Sequence, residues 1–325
     1  MGEPRPPAPS GYHLMISTRY LARPGVAFVL LLAAAALASP CAAQKKGTTK
    51  RTLESGGVER EFLLHIPRRY KQASKKAPVP LVVMLHGRTG SGEIAASPYY
   101  GWKRLADKED FVVAFPTALG KPTSWKGAWR GKPTEDSVFL AELIELLQDE
   151  LKIDEDRVFM TGHSSGGFMS FSFAATHGDL VAAIAPVAGL AVDRSKPSSP
   201  VSLISFHGMA DDVVPYDKSK WGTPNAPESA ALFAKHNGCG DVERTELNKG
   251  KVHLDQWKGG AGGAEVAFYS IEGFGHGWPQ GGRKSVEATE LIWEFFEAHP
   301  RKPRAAAGED DGGSGSKGRR ARGKR

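Results

Sequence analysis

Arg157-Val158-Phe159-Met160-Thr161-Gly162-His163-Ser164-Ser165-Gly166-Gly167-Phe168-Met169-Ser170-Phe171-Ser172-Phe173-Ala174-Ala175 is the stretch on which the reading of this chain turns. A short apolar run leads into Gly-x-Ser-x-Gly, and a second apolar-rich run follows. The pattern predicts a strand, a sharp turn and a helix. A serine hydroxyl is a weak nucleophile unless it projects freely, meets a base and has amide donors for the developing oxyanion. A strand-to-helix turn helps with all three. Gly162 and Gly166 carry no Cβ and let the chain close tightly around Ser164. The amide of Ser165 opens the helix, where N–H groups point outward and the dipole favours negative charge. The five residues alone also describe a Gly/Ser loop, so the strand and helix around them are the informative part.

A serine nucleophile needs a base, and the base needs an orienting acid. Downstream, Val201-Ser202-Leu203-Ile204-Ser205-Phe206 reads as a buried strand, and His207-Gly208 turns out of it. Asp211 lies in the loop beyond, with Asp212 as its immediate rival and Asp217 further on. Spacing does not choose between Asp211 and Asp212. Later, the alternating strand 265–270 is followed by Gly273-Phe274-Gly275-His276-Gly277-Trp278-Pro279. His276, flanked by glycines between a strand and the last helix (285–298), is the candidate base. His163 is read as pointing to the opposite side of the turn. His86 and His207 are read as structural. The second oxyanion donor should follow an early central strand. Pro80-Leu81-Val82-Val83-Met84-Leu85 is nearly all apolar, as a central parallel strand requires, and ends in His86-Gly87-Arg88-Thr89. The donor is assigned to the Arg88 backbone amide, with Thr89 as runner-up, beside that of Ser165.

With these segments in place, the chain resembles the secreted polyhydroxybutyrate depolymerase and feruloyl esterase family of α/β-hydrolases. The matching pieces include Leu85-His86-Gly87, Glu135-Asp136-Ser137-Val138-Phe139-Leu140 and the Ser164 segment. Phe206-His207-Gly208-Met209-Ala210-Asp211-Asp212-Val213-Val214-Pro215-Tyr216, His236-Asn237-Gly238-Cys239 and Gly275-His276-Gly277-Trp278-Pro279 complete the set. They span residues 56–299 in the family's order. The resemblance implies Ser164 as nucleophile, His276 as base and Asp211, rather than Asp212, as acid. It also implies a carboxylic ester substrate and no metal or organic cofactor. The chain departs from it in three places. His163-Ser164-Ser165 stands where relatives often have Leu-Ser-Asn. Arg88 stands where they often have cysteine or a small residue. Cys239 often has a disulfide partner in relatives, but the only other cysteine here is Cys41, in the leader.

Residues 26–38 form a short apolar core preceded by Arg19 and Arg23 and followed by Pro40-Cys41-Ala42-Ala43. This predicts a cleaved secretory leader over residues 1–43 and a secreted or periplasmic protein, since a spanning helix needs about 20 apolar residues. Pro40 argues against lipidation of Cys41. The tail, 301–325, is rich in Gly, Ser, Lys and Arg, cannot bury a core and is expected to be disordered. The net charge of +7 comes from the two ends, and residues 44–300 sum to about −1. The tail is a candidate contact for anionic surfaces, though a solvated tail is the simpler expectation. No nucleic acid is required as a partner, and no transmembrane segment is expected.

Residues 44–300 suit one α/β domain. Strands are predicted near 60–66, 80–86, 111–115, 157–161, 182–188, 201–206, 252–257 and 265–270, alternating with helices such as 137–151 and 165–177. Alternation implies a mostly parallel sheet covered on both faces. In helix 137–151, Val138, Leu140, Leu143, Ile144 and Leu147 are expected to face the core. There is no dinucleotide fingerprint, Walker motif or spaced Cys/His metal set. Trp125, Trp129 and Trp278, in predicted loops on the Ser164 side, are candidates for an aromatic platform or for packing. Feruloyl or acetyl esters of plant polysaccharide are the expected substrates by resemblance, with a hydroxyalkanoate polyester as runner-up. A non-catalytic carbohydrate- or cell-surface-binding protein on the same scaffold is the alternative of another class.

Overall fold

The computed structural model describes residues 46–127, 130–192, 194–218 and 222–301. The leader, residues 302–325 of the tail, Cys41 and Trp129 lie outside them. In chain order the strands are β1 (Gly47–Ser55), β2 (Val58–Ile66), β3 (Val79–Leu85), β4 (Val112–Pro116), β5 (Ile153–His163), β6 (Ala183–Val187), β7 (Ser202–Gly208), β8 (Glu243–Leu247), β9 (Val252–Trp257) and β10 (Val266–Ile271). The helices are α1 (Tyr70–Lys76), α2 (Gly92–Ala95), α3 (Trp102–Glu109), α4 (Glu135–Glu150), α5 (Ser165–His177), α6 (Ala226–Asn237) and α7 (Ala288–Ala298).

All these strands join one sheet in the order β1-β2-β4-β3-β5-β6-β7-β10-β9-β8. The run from β4 to β10 is parallel, and an antiparallel pair closes each side. This is the expected α/β architecture. Every residue of β3 is buried, as a strand covered on both faces requires. Leu81, Val83 and Leu85 pack on one face with α4, α5 and α6. Val82 and Met84 pack on the other with α3 and α7. The strand period of two thus feeds two cores.

The two edge strands β1 and β8 were not anticipated. β1 is GTTKRTLES and β8 is ERTEL, and both are half or fully exposed along most of their length. They are held by ladder hydrogen bonds to β2 and β9 rather than by an apolar face. α4 also begins two residues earlier than expected. Thr134 caps it, accepting from the Ser137 amide, while Ser137 Oγ accepts from the Thr134 amide. Its buried stripe runs through Phe139, Leu140, Leu143, Ile144 and Leu147, and Val138 falls off the edge at 37 % exposure.

Asp136 opens that stripe in an unusual way. It is buried against Arg60 of β2, 2.6 Å away, and the guanidinium lies over the Phe139 ring at 4.0 Å. Asp136 also accepts from the Lys126 amide at 2.7 Å. A buried pair is costly to desolvate, so its net contribution is modest, but losing one partner would cost about 3–5 kcal/mol. The pair fixes α4 to β2 and positions the 123–127 segment that reaches the candidate site.

Candidate active site

β5 ends at His163 and α5 begins at Ser165, so Ser164 occupies the whole turn between them. Its φ of 54° and ψ of −116° are strained for a residue with a Cβ, at a cost of about 1–3 kcal/mol. The turn is held by the Ser164 amide donating to Val187 O at 2.8 Å and by Phe168 donating to Ser164 O at 3.0 Å. The flanking glycines are sterically required. A Cβ on Gly162 would sit 2.5 Å from the carbonyl carbon of Gly166, and one on Gly166 would sit 2.5 Å from Leu85 O.

His276 reaches Ser164 from the loop after β10. Its Nε2 is 2.9 Å from Ser164 Oγ, and its Nδ1 is 2.8 Å from Asp211 Oδ2. With Asp211 ionised, Nδ1–H donates to the carboxylate and Nε2 is left to accept from the serine. Asp211 Oδ1 accepts from the amides of Val213 and Val214 at 3.0 and 2.8 Å. Burial alone would raise this carboxyl. The His276 hydrogen bond and then the Val214 amide outweigh it and hold the pKa below the usual carboxylate range. Asp212 and Asp217 are exposed. Among the three acids it is therefore Asp211 that meets His276.

The loops that carry Asp211 and His276 are pinned to each other. Ala210 donates to Phe274 O at 3.0 Å, and Met209 donates to Ile271 O at 2.9 Å. A Cβ on Gly208 would lie 2.1 Å from Phe274 O. Gly208→Ala should push the Phe274–Gly275 backbone away and carry His276 off the serine. The expected result is a fall in kcat of about 10²-fold, the scale of a 1 Å misplacement, checked by steady-state kinetics on a soluble ester. His207, buried behind this loop, donates from Nε2 to Val214 O at 2.8 Å and braces the Asp211–Val214 turn.

The loop after β3 is built around His86. Its Nε2 accepts from the Ala118 amide at 3.0 Å, so Nδ1 carries the proton and donates to Gly87 O at 2.6 Å. Gly87 lies against Ser164, and a Cβ there would be 3.5 Å from Ser164 Cβ. The Thr89 amide is occupied by Thr123 O at 2.8 Å. Among the described residues the Arg88 amide has no such acceptor. Trp125 ties the two halves of this region together. Its amide donates to Ser165 Oγ at 3.0 Å and its indole N–H to His86 O at 2.9 Å.

Two expectations need correcting. Trp125 and Trp278 are 6 % and 1 % exposed and offer no platform. The Trp278 indole donates to Thr289 Oγ1 at 3.0 Å, and its ring packs edge-on to Tyr100. Both rings therefore hold loops in place. The exposed apolar side chains on loops bordering the triad are instead Tyr99, Met209 and Val213. The Tyr99 hydroxyl accepts from the Trp278 amide at 3.3 Å, two residues beyond His276.

His163 does not face away from His276, because the two rings are 5.1 Å apart. The Tyr100 hydroxyl donates to its Nδ1 over a long 3.4 Å, and its Nε2 is buried without a partner among the described residues. Burial, and then the charge of protonated His276, push its pKa from 6.5 down to about 4. The unfolded chain takes up this proton near 6.5 and the folded chain only near 4. Stability is therefore full above that window and is lost as pH falls through it, by up to about 3 kcal/mol. His163→Leu should flatten the pH dependence of urea-unfolding free energy between pH 4 and 6.5. Equal slopes in the two proteins would contradict this.

A family profile described as alpha/beta hydrolase fold matches residues 80–235. Among curated proteins, "Probable feruloyl esterase C" of Aspergillus niger is 28 % identical over 281 residues, covering 82 % of this chain and 96 % of the relative. Feruloyl esterase C of Emericella nidulans is 27 % identical over 289 residues, covering 82 % and 96 %. Among solved structures, an acetyl xylan esterase from Aspergillus awamori superposes with a TM-score of 0.59 at 18 % identity, covering 77 % of this chain and 99 % of its own. Sheet order, serine turn, profile and relatives agree on an α/β-hydrolase fold, and the chain is similar over most of its length to feruloyl esterases.

Proposed function

We propose that this protein is a serine carboxylic-ester hydrolase acting by two-step acyl transfer. The observation that carries this is the continuous Ser164–His276–Asp211 hydrogen-bonded chain, with the serine on a strained elbow. His276 Nε2 takes the hydroxyl proton as Ser164 Oγ bonds to the ester carbonyl carbon. The carbonyl oxygen becomes an oxyanion facing the Arg88 and Ser165 amides, where one donor contributes about 3 kcal/mol to the transition state. Collapse breaks the bond to the alcohol oxygen, which leaves with the proton from His276. Water, deprotonated by the same imidazole, then attacks the acyl-serine. The acid is released and Ser164 regains its proton. Asp211 keeps the imidazole in the productive tautomer and favours its charged form.

The finer assignment, feruloyl or acetyl esters of plant polysaccharide, is supported by the names of the relatives. The exposed ring of Tyr99 and the side chains of Met209 and Val213 are the contacts we assign to the acyl group. The apolar core at residues 26–38 of the expected leader, 1–43, supports secretion, and among the described residues no helix is long and apolar enough to cross a membrane. The test is hydrolysis of methyl ferulate and acetylated xylan by the mature protein, with release of ferulate or acetate measured directly. Turnover of neither ester, nor of a short chromogenic acetate, would overturn the proposal.

A further inference from the structure

We propose that the side of the cleft formed by the loops after β3 and β4 reads a carboxylate on the substrate, with Arg88 as the cation that binds it. The preferred substrates are then esters that carry a second, free carboxylate. This deepens the esterase reading and rests on it.

Arg88 follows Gly87, the residue in contact with the nucleophile, and its side chain is exposed. Among the described residues its guanidinium makes no ion pair, hydrogen bond or ring contact. Other arginines, Arg194 and Arg283 among them, also hold no carboxylate within 3.0 Å among the described residues, but Arg88 is the one that follows the residue lying against Ser164. Arg51, Arg60, Arg69, Arg104, Arg157 and Arg244 each hold a carboxylate within 3.0 Å. A guanidinium presents a planar fork of donors suited to a carboxylate, so an unpaired one beside a nucleophile is a ready anion contact.

The surrounding charge points the same way. Residues 86–91 and 117–134 contain no Asp or Glu, yet carry Arg88, Lys121, Lys126, Arg130 and Lys132. Lys126 is neutralised by Glu135, whereas Arg88 and Lys121 have no carboxylate partner among the described residues. The loop after β7, on the opposite side of β5 from β3 and β4 in the sheet, carries Asp212 and Asp217 together with Lys218 and Lys220 and so has no basic excess. The basic excess thus lies on the β3/β4 side, although residues 44–300 are nearly neutral. A carboxylate on a bound ester would be drawn to the β3/β4 side, which orients the ester across Ser164. A neutral acetyl or aromatic group alone would leave Arg88 without a ligand.

The carboxylate can belong to the acyl half or to the alcohol half, and matched ester pairs distinguish them. For the acyl half the pair is 4-nitrophenyl hemisuccinate and 4-nitrophenyl butyrate. For the alcohol half it is acetylated oligogalacturonate and acetylated galacto-oligosaccharide. With the mature full-length chain, kcat/KM in one pair should favour the anionic member about tenfold at low salt, and the preference should shrink toward parity in about 0.5 M NaCl. Arg88→Gln should lower the anionic-to-neutral ratio about tenfold, and Arg88→Lys should retain most of it. The ratio cancels any general loss from disturbing the oxyanion loop. Neutral members turned over as well or better in both pairs, or a ratio unchanged in Arg88→Gln, would overturn this inference and leave the esterase reading standing. No turnover of any ester and no fluorophosphonate adduct on Ser164 would remove both.

Discussion

Ser164→Ala is expected to lower kcat for a soluble ester by about 10⁶-fold, roughly 8 kcal/mol of activation free energy, with little change in fold. The size follows from the geometry. Ser164 Oγ is the atom that His276 Nε2 addresses at 2.9 Å, and alanine leaves no nucleophile there. The backbone conformation should survive, because φ of 54° is imposed by the Val187 carbonyl and by the close approach of Gly162 to Gly166. His276→Ala should cost about as much, and the double variant little more, because the two act as one unit. Kinetics with burst-phase detection and circular dichroism on each variant check both halves of the expectation. Activity in Ser164→Ala above about one part in 10³ of the parent would place the nucleophile elsewhere.

Asp211→Asn should lower kcat by about 10⁴-fold while leaving the loop in place. The amide oxygen can take the place of Oδ1 and keep the Val213 and Val214 hydrogen bonds. Its NH2 group then faces His276 Nδ1 where Oδ2 stood at 2.8 Å. A donor there forces Nδ1 to accept and moves the ring proton to Nε2, which can no longer take a proton from Ser164. Asp212→Asn, at an exposed position, should stay within about twofold of the parent. Equal losses in the two variants would mean that the acid has been assigned to the wrong residue.

The parts of the site that could be read from sequence are those where chemistry demands a residue type at a particular point in the chain. The serine turn is visible because two glycines and a change of period mark it. His276 is visible because it sits in a glycine-rich loop after an alternating strand. Asp211 needed more than spacing, since Asp212 satisfies the same pattern. The resemblance favours Asp211, but the physical grounds for it, the Val213 and Val214 amides and the 2.8 Å contact to His276, are tertiary facts.

Other features were hidden for related reasons. A tryptophan in a loop does not announce whether its ring is exposed. Trp125 and Trp278 turn inward because each indole N–H finds a buried acceptor, His86 O and Thr289 Oγ1. β1 and β8 carry no hydrophobic alternation, because edge strands supported by ladder hydrogen bonds do not need it. The placement of His163 beside His276 arises from the end of β5 and a loop more than a hundred residues later. Arg60 and Asp136 are likewise distant in sequence, and nothing local in either segment signals that both are buried.

Fluorophosphonate labelling of the mature protein, read by intact mass and mapped by peptide sequencing, tests the catalytic assignment most directly. A single rapid adduct on Ser164, abolished by Ser164→Ala and strongly slowed by His276→Ala, is the predicted result. Folded protein that takes up no adduct, or takes it up on another residue, would contradict the assignment of Ser164 as an activated nucleophile.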